Sequence, residues 1–321
     1  MTYGFRRKYA ALIAALIMSL SNTCAHAYAQ TAYPGSMGVY GNGNCCENFW
    51  ASGDLLYLTS CVDGFECAFG NTDITTSVSN GKIVTDIEER DSDIKSDWNA
   101  GFRLGIGYDE ECSCWDTALL WTHFNQNNTD HAKCHNRAKW KLRFNEVDAL
   151  VGYKINCSRC FSVRPFFGAR YAKIDQKLTT HLSTPITITA THARSVVVST
   201  KNDHERFWGA GPILGFEGEF FLSCGFSAYG NFSGNFLYGM FKNRFNDSDI
   251  FKAAVNNCDS SSESCGVLTG FDAGVGVRYA TECGATLQLG LEHHKYSDYN
   301  QIGCGGDLNL YGVNVSVNMR F

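Results

Sequence analysis

Along much of this chain apolar and polar side chains alternate one by one. Between Ser96 and Tyr108, Trp98, Ala100, Phe102, Leu104, Ile106 and Tyr108 share one face, while Asp97, Asn99, Gly101, Arg103, Gly105 and Gly107 share the other. A period of two is that of a β-strand with one apolar and one polar or small face. Thirteen residues also exceed the five or six of an ordinary soluble strand and reach the roughly 9–11 that a tilted membrane strand needs. The pattern recurs from Trp115 to Thr122, Phe161 to Tyr171, Trp208 to Phe220, Phe226 to Tyr238, Phe271 to Tyr279 and Ala285 to Glu292. It ends with Tyr311, Val313, Val315, Val317, Met319 and Phe321 on one side of a terminal strand.

One stretch changes phase. Trp140, Leu142 and Phe144 are even, whereas Val147, Ala149, Val151 and Tyr153 are odd. A β-bulge near Asn145-Glu146 would restore the register, or the run is two strands. Connections alternate in length. Short ones fall near 109–113, 155–160, 221–224 and 281–284, and long ones near 60–95, 125–138, 176–203, 242–265 and 297–307. Short turns on one side and long loops on the other are the asymmetry of outer-membrane barrels. With 49–59 as the first strand, the count is ten. A hairpin around Asn80-Gly81 and a pair at Ile186–Thr191 and Ser195–Thr200 would raise it to twelve or fourteen. The expected fold is therefore all-β: an antiparallel up-and-down transmembrane barrel of about 10–14 strands, with short periplasmic turns and long extracellular loops.

The same parity sorts aromatic residues into two belts. Tyr108, Trp115, Tyr153, Phe161, Phe220, Phe226, Tyr279 and Phe321 fall near the short-turn side, and Tyr57, Trp98, Trp121, Trp140, Tyr171, Trp208 and Tyr238 near the other. Paired aromatic girdles around an apolar band are what a barrel presents to a membrane. A soluble β-sandwich is the competing reading, but it does not account for such long strands. Arg6, Arg7 and Lys8, an apolar run over 9–20 and Ala25-His26-Ala27 read as a secretory signal peptide. The expected organisation is a signal peptide over 1–27, a periplasmic segment over 28–48 and an outer-membrane barrel over 49–321.

Composition narrows the function. Charged residues make up 18% of the chain and its formal charge is −5, or −8 once the three cations of the signal are removed. That balance argues against a nucleic-acid partner. The chain holds 15 Cys, of which 14 remain without Cys24, and this points to an oxidising compartment. On the ten-strand reading Cys45, Cys46, Cys112, Cys114, Cys157, Cys160, Cys224 and Cys283 lie on the periplasmic side, and Cys61, Cys67, Cys134, Cys258, Cys265 and Cys304 outside. Disulfides are expected within each side or between molecules, since none can span an apolar band about 25 Å tall. Cys157-Ser-Arg-Cys160 has no matching second pair and Cys112-Ser-Cys114 is too tight for a zinc knuckle. No metal and no cofactor is expected.

Several segments carry a family resemblance. They are Trp115-Asp116 with Trp121-Thr122-His123-Phe124, Trp140-Lys141-Leu142-Arg143-Phe144-Asn145 with Asp148, and Arg164-Pro165-Phe166-Phe167-Gly168-Ala169-Arg170 with Ile174-Asp175-Gln176-Lys177. Trp208-Gly209-Ala210-Gly211-Pro212, Tyr229-Gly230-Asn231 and Gly306-Asp307-Leu308 complete the set. Over roughly residues 45–321 the chain resembles the Legionella-type pore-forming outer membrane proteins, in the form of the major-outer-membrane-protein-like proteins of environmental chlamydiae. The resemblance implies a barrel in the bacterial outer membrane, a pore-forming role and a cysteine-cross-linked envelope. The ending at Phe321 is similar to those that barrel-assembly machinery reads.

Candidate lumen-lining charges follow from parity, because a charge facing lipid at the midplane costs about 2–4 kcal/mol. They are Asp97, Arg103, Asp116, Arg143, Arg164, Arg170, Glu217, Asp272, Arg278, Glu292 and Arg320. Such a lining suits a passive channel for small hydrophilic solutes in a protein that is also a disulfide-linked part of the envelope, touching outer-membrane lipid and other cysteine-rich proteins. The alternative is a plugged barrel with a structural or adhesive role. An enzyme would rest on His293 and His294 near Asp298, or on His123 or His204, which form no recognisable catalytic constellation, so no catalytic residue is assigned.

Overall fold

The computed structural model describes residues 48–63, 71–79, 82–90, 97–110, 114–131, 137–158, 160–188, 193–251, 254–281, 284–300 and 306–321, within a compact unit spanning Gly38–Phe321. The signal peptide and nearly all of the segment over 28–48 lie outside the described residues. The elements are β1 (Asn48–Val62), β2 (Asn71–Ser79), β3 (Lys82–Arg90), β4 (Asn99–Asp109), β5 (Trp115–His131), β6 (Arg137–Tyr153), β7 (Ile155–Asn156), β8 (Phe161–Ile188), β9 (Ala193–Ser223), β10 (Phe226–Phe251), β11 (Ala254–Ala280), β12 (Ala285–Asn300) and β13 (Gly306–Arg320).

Ten of these strands close a ring. Going round, β8, β6, β5, β4, β1, β13, β12, β11, β10 and β9 pair in turn, and β9 returns to β8. Every ring pairing is antiparallel. Closure satisfies each strand's backbone on both sides, which hydrocarbon demands and an open sheet cannot provide. The hairpin β2–β3 stands off the ring. Its pairs run from Asn71↔Arg90 to Ser79↔Lys82, leaving 80–81 as the two-residue connection, and β2 touches β8 in parallel at Thr75↔Thr187 and Thr76↔Ile188.

Three expected long loops are not loops. β8 and β9 stay paired from Phe161↔Phe220 out to Ile188↔Ala193, so 176–203 is continuous strand apart from its tip. β10 and β11 stay paired out to Phe251↔Ala254, so 242–251 and 254–265 are strand as well. β5 and β6 extend to His131↔Arg137, which shortens the connection expected over 125–138. The four strands β8 to β11 have 28, 31, 26 and 27 residues, against 11 to 17 for the other strands of the ring. They rise together on the outer side. Their outer halves are rich in Thr, Asn, Ser and Asp, which reads as loop because the apolar partner that marks a membrane strand is missing. The cross-strand ladder needs no such partner.

The phase break at β6 also has another cause. Both ladders of β6 run without a register shift, from Arg137↔His181 to Gly152↔Phe166 and from His131↔Arg137 to Trp115↔Tyr153. There is no bulge at Asn145-Glu146. Trp140, Leu142 and Phe144 are buried at 1%, 2% and 1% exposure, on the inner face. Below them the apolar residues Val147, Ala149 and Val151 face outward to lipid. The outer surface changes from hydrocarbon to water as the strand climbs, so its apolar side switches from outside to inside. Trp140 therefore leaves the outer aromatic belt, and the exposed Arg143 stands on the outside of the barrel rather than in the bore.

On the lipid-facing side large apolar residues are exposed in quantity, among them Leu104, Ile106, Leu214, Phe216, Val275, Leu289 and Leu291. Aromatic pairs frame this band. Phe49–Tyr108, Trp115–Tyr153 and Phe226–Tyr279 lie 5.2, 5.0 and 4.7 Å apart near the short turns. Tyr57–Trp98 and Phe102–Trp121 lie 5.4 and 5.3 Å apart toward the outer side. Leu289 sits mid-band between its cross-strand neighbours Val277 and Val315. Leu289→Arg is expected to destabilise the folded barrel by about 2–4 kcal/mol in reversible urea unfolding from lipid vesicles. A cost below about 0.5 kcal/mol would show that this face does not meet lipid.

Candidate functional site

The bore is where inward side chains from ten strands converge, and they fall into layers. Toward the outer side lies a single apolar cluster that includes Leu56, Leu58, Phe124, Trp140, Leu142, Phe144, Ile174, Phe207, Leu268, Tyr296 and Leu310. Trp140, Tyr296, Tyr299, Phe124, Phe144 and Phe207 are each at least 98% buried. β6 and β12 are diametrically opposite, five places apart around the ring in either direction. The Phe144 ring of β6 nonetheless lies 5.8 Å from the Tyr296 ring of β12, and the Tyr296 hydroxyl donates to the Glu146 carboxylate. The side chains of opposite walls meet at this height.

Beneath that cluster lies a layer of charge. Arg170 donates Nε and Nη2 to the two oxygens of Asp148, each at 2.7 Å, and Nη1 to Asp272 at 2.7 Å. Its Nη2 is also 3.1 Å from Glu146. Arg103 donates to both oxygens of Glu292 at 3.2 and 3.3 Å, to Asp54 at 3.4 Å and to Thr122 at 3.0 Å. His294 joins the two groups, with Nδ1 2.7 Å from Asp272 and Nε2 3.4 Å from Glu292. Ser233 donates to Asp272 and Asn314 to Glu292. Buried charges survive only when paired and hydrogen-bonded in this way.

A third layer faces the short-turn mouth and is partly wet. Arg164 holds Asp116 by two hydrogen bonds, one of them 2.6 Å. Arg278 donates to Glu217 at 2.6 Å and to Gln288 at 2.9 Å, lies 3.6 Å from Glu219, and stacks over the Tyr229 ring at 4.4 Å. At the mouth itself Arg320 and the Trp50 indole both donate to Asp109.

Nine of the eleven charges singled out from sequence thus lie along the inside of the bore, paired. Arg143 is on the outer surface, as described above. Asp97 is exposed at the outer rim, just before β4, where its backbone carbonyl accepts from Gln126 and its backbone N–H donates to the Asn128 side-chain oxygen. Parity missed the partners. Glu146 and Asp148 occupy the positions opposite Val147 and Ala149, so the alternation already places them inward. Asp54 carries no such signal, because Leu55 and Leu56 leave β1 apolar on both faces. Tyr296 gives no sequence cue at all, since only the narrowness of the ring makes it a partner for Glu146.

Among the described residues, the histidines singled out above do not form a hydrolytic relay. Asp272 stands between Ser233 and His294, so the imidazole activates no hydroxyl there. His293 faces outward between the Phe271 and Tyr311 rings, at 5.8 and 6.5 Å. His123 is held by Asn145 and Asn125, and His204 by Asp175, all on the outer surface. Among the described cysteines, Cys114, Cys157, Cys160 and Cys224 are exposed at the short-turn rim and Cys265 on the outer part of β11, and no disulfide joins any two of them. Cys224-Gly225 forms the two-residue β9–β10 turn with φ of 52° and 81°, and Cys114 has φ 60°. Left-handed backbone suits Gly and Asn far better than Cys. The other cysteine side chains, Cys61 aside, lie outside the described residues.

Residues 44–317 match the family model described as the Legionella pneumophila major outer membrane protein precursor. No curated protein matches the chain. Among solved structures, the outer membrane protease OmpT of Escherichia coli is 12% identical, with 85% of this chain and 97% of OmpT covered and a TM-score of 0.49. Neisserial surface protein A is 11% identical over 85% of this chain and 97% of its own, with a TM-score of 0.29. The attachment protein Ail of Yersinia pestis is 10% identical over 86% and 98%, with a TM-score of 0.30. The ring itself is established by the pairing register above rather than by these likenesses.

Arg170 forms ion pairs with three carboxylates, Glu146, Asp148 and Asp272, and among the described residues no other arginine forms an ion pair with them. Arg170→Leu is expected to destabilise the barrel by about 3–5 kcal/mol in urea unfolding, because it strands buried charge. The triple change Arg170→Leu, Asp148→Leu, Glu146→Gln is expected to recover most of that loss. An isolated Arg170→Leu cost under about 1 kcal/mol would mean the layer is not electrostatically coupled.

Proposed function

The chain belongs to the family of the Legionella pneumophila major outer membrane protein, and from that premise we propose that this outer-membrane barrel is a structural component of the envelope with a sealed bore. The observation that carries this reading is the bridge across the ring, Phe144 and Glu146 on one wall against Tyr296 on the opposite one. Ten strands leave an interior that side chains can fill, whereas open porins use sixteen to eighteen. The charged layer beneath is bound within itself, so its role is to hold the walls together. The barrel then acts as a stiff stem. It carries the long sheet β8–β11 above the membrane and presents Cys114, Cys157, Cys160 and Cys224 below it.

Those four thiols support cross-linking to other cysteine-rich envelope proteins or to further copies. They are exposed, and two of them, Cys114 and Cys224, sit at left-handed positions whose backbone disfavours cysteine. A second reading, a channel for small hydrophilic solutes, draws on the lower bore. There Asp116, Arg164, Glu217 and Arg278 keep 12–22% of their side-chain surface open. Water can enter from the short-turn mouth, and passage would require the Phe144–Tyr296 contact to part.

Planar-bilayer recording separates the two. Purified protein is expected to give no steady conductance steps, and the double change Phe144→Ala, Tyr296→Ala to introduce them. Steady steps from the unaltered protein would overturn the sealed barrel in favour of the channel. Envelopes run on gels without reductant are expected to show high-mass species that collapse to monomer with reductant. Monomer in both lanes would remove the cross-linking role.

A further inference from the structure

The outer surface just above the lipid band is not uniform. On the wall formed by β6, β8, β9 and β10 it is crowded with cations. Lys141 lies directly across the ladder from Lys177, and Arg206 from Lys242. Like charges at opposed positions, with Cβ atoms about 5 Å apart, repel and destabilise a sheet. Two such pairs occupy adjacent rows. Arg143 and Lys173 extend the patch, and among the described residues Lys141, Lys177, Arg143 and Lys173 are exposed without an ion pair. The acids within it are Asp175, already held by Arg206 and His204, and Glu263, held by Lys242 at the edge.

Height fixes what such a patch meets. The next outward-facing row down from Lys173 is Tyr171 with Val147 and Ala210, and Trp121 and Tyr238 stand at the same level. These aromatic residues mark the boundary of the hydrocarbon. A row step is about 7 Å along the strand, so the cations begin at the level of lipid headgroups. The opposite wall is different. Above its aromatic row Lys295 is paired with Asp307. The chain as a whole carries a formal charge of −5, so the concentration of positive charge on one wall is not a consequence of composition.

We propose that this wall is a binding surface for the phosphate groups of an anionic, phosphorylated lipid in the outer leaflet. Phosphates set between Lys141 and Lys177, and beside Arg143 and Lys173, offset the cross-strand repulsion, while the acyl chains lie against Tyr171, Val147 and Ala210 below. Lysine and arginine are suited to this: a guanidinium binds two phosphate oxygens at once and an ammonium supplies a mobile point charge. The free-energy source is the one that draws basic segments to anionic membranes. The proposal rests on the membrane-spanning ring and not on whether the bore is sealed.

The test uses the intact barrel in neutral detergent, with diphosphoryl lipid A as the probe, and counts bound lipid by native mass spectrometry. Binding is expected, with little for the dephosphorylated form. The triple change Lys141→Gln, Arg143→Gln, Lys177→Gln is expected to weaken it by about tenfold or more, since each lost cation removes one contact with phosphate. Lys154→Gln at the opposite rim is expected to leave it unchanged. All three altered side chains are exposed, and heat-modifiable migration on gels verifies that the variant barrel is folded. Equal binding of dephosphorylated lipid would overturn the proposal, as would displacement by inorganic phosphate at matching concentration. Lipid binding insensitive to the triple change, with a synthetic polyglutamate bound in a manner sensitive to it, would reassign the wall to an acidic protein partner and equally overturn it.

Discussion

Backbone groups in hydrocarbon have no water to turn to, and this one constraint decides the architecture. Strands can cross only if each is paired on both sides, which requires the β8–β9 ladder to join the two otherwise free edges of the ring. Closure at ten strands then sets the diameter. At that diameter a phenylalanine from one wall reaches a tyrosine from the opposite one, so side chains of opposite walls pack against each other. The lumen-facing charges inherit their roles from the same geometry. In a wide bore they would be solvated individually. In this one they lie within hydrogen-bond reach of carboxylates three strands away, as Arg103 is of Glu292 and Arg170 of Asp272.

The lower and middle barrel was legible from the sequence because two environments differ there by a single residue step. Lipid on one side and a polar interior on the other produce the alternation of β4, β10, β11 and β13. What failed is instructive in the same terms. Above the membrane the exterior becomes water while the interior becomes apolar, so Trp140, Leu142 and Phe144 invert the pattern with no change in backbone register. The outer halves of β8 to β11 lose the lipid-facing apolar alternation and read as loop, although the ladder persists to Ile188↔Ala193 and Phe251↔Ala254. Periodicity reports which solvent a face meets. It reports strand continuity only where that solvent stays constant.

The bore's partners were less legible than its walls. Parity assigns a side chain to the inside but not to a neighbour, and the contacts that matter run between strands distant in sequence. Glu146 and Tyr296 are 150 residues apart and Arg103 and Glu292 are 189 apart. Only the order of strands around the ring, together with its width, brings them together. Asp54 shows the limit of patterning most directly. Its neighbours Leu55 and Leu56 are both apolar, one facing lipid at 49% exposure and the other the closed core at 0%, and a sequence cannot tell two apolar environments apart.

The two charged regions of this barrel obey opposite rules. Inside, five carboxylates (Asp54, Glu146, Asp148, Asp272 and Glu292) surround two guanidiniums and one imidazole, and each of these carboxylates has an ion-pair partner within the protein. Outside, at headgroup level, cations face each other across the ladder with few partners from the protein. A self-contained protein surface would intersperse signs there, as it does at Lys295 and Asp307. The contrast locates the missing counter-charge in the medium. The interior was completed by the chain, and the outer wall is complete only in the presence of the membrane leaflet that touches it.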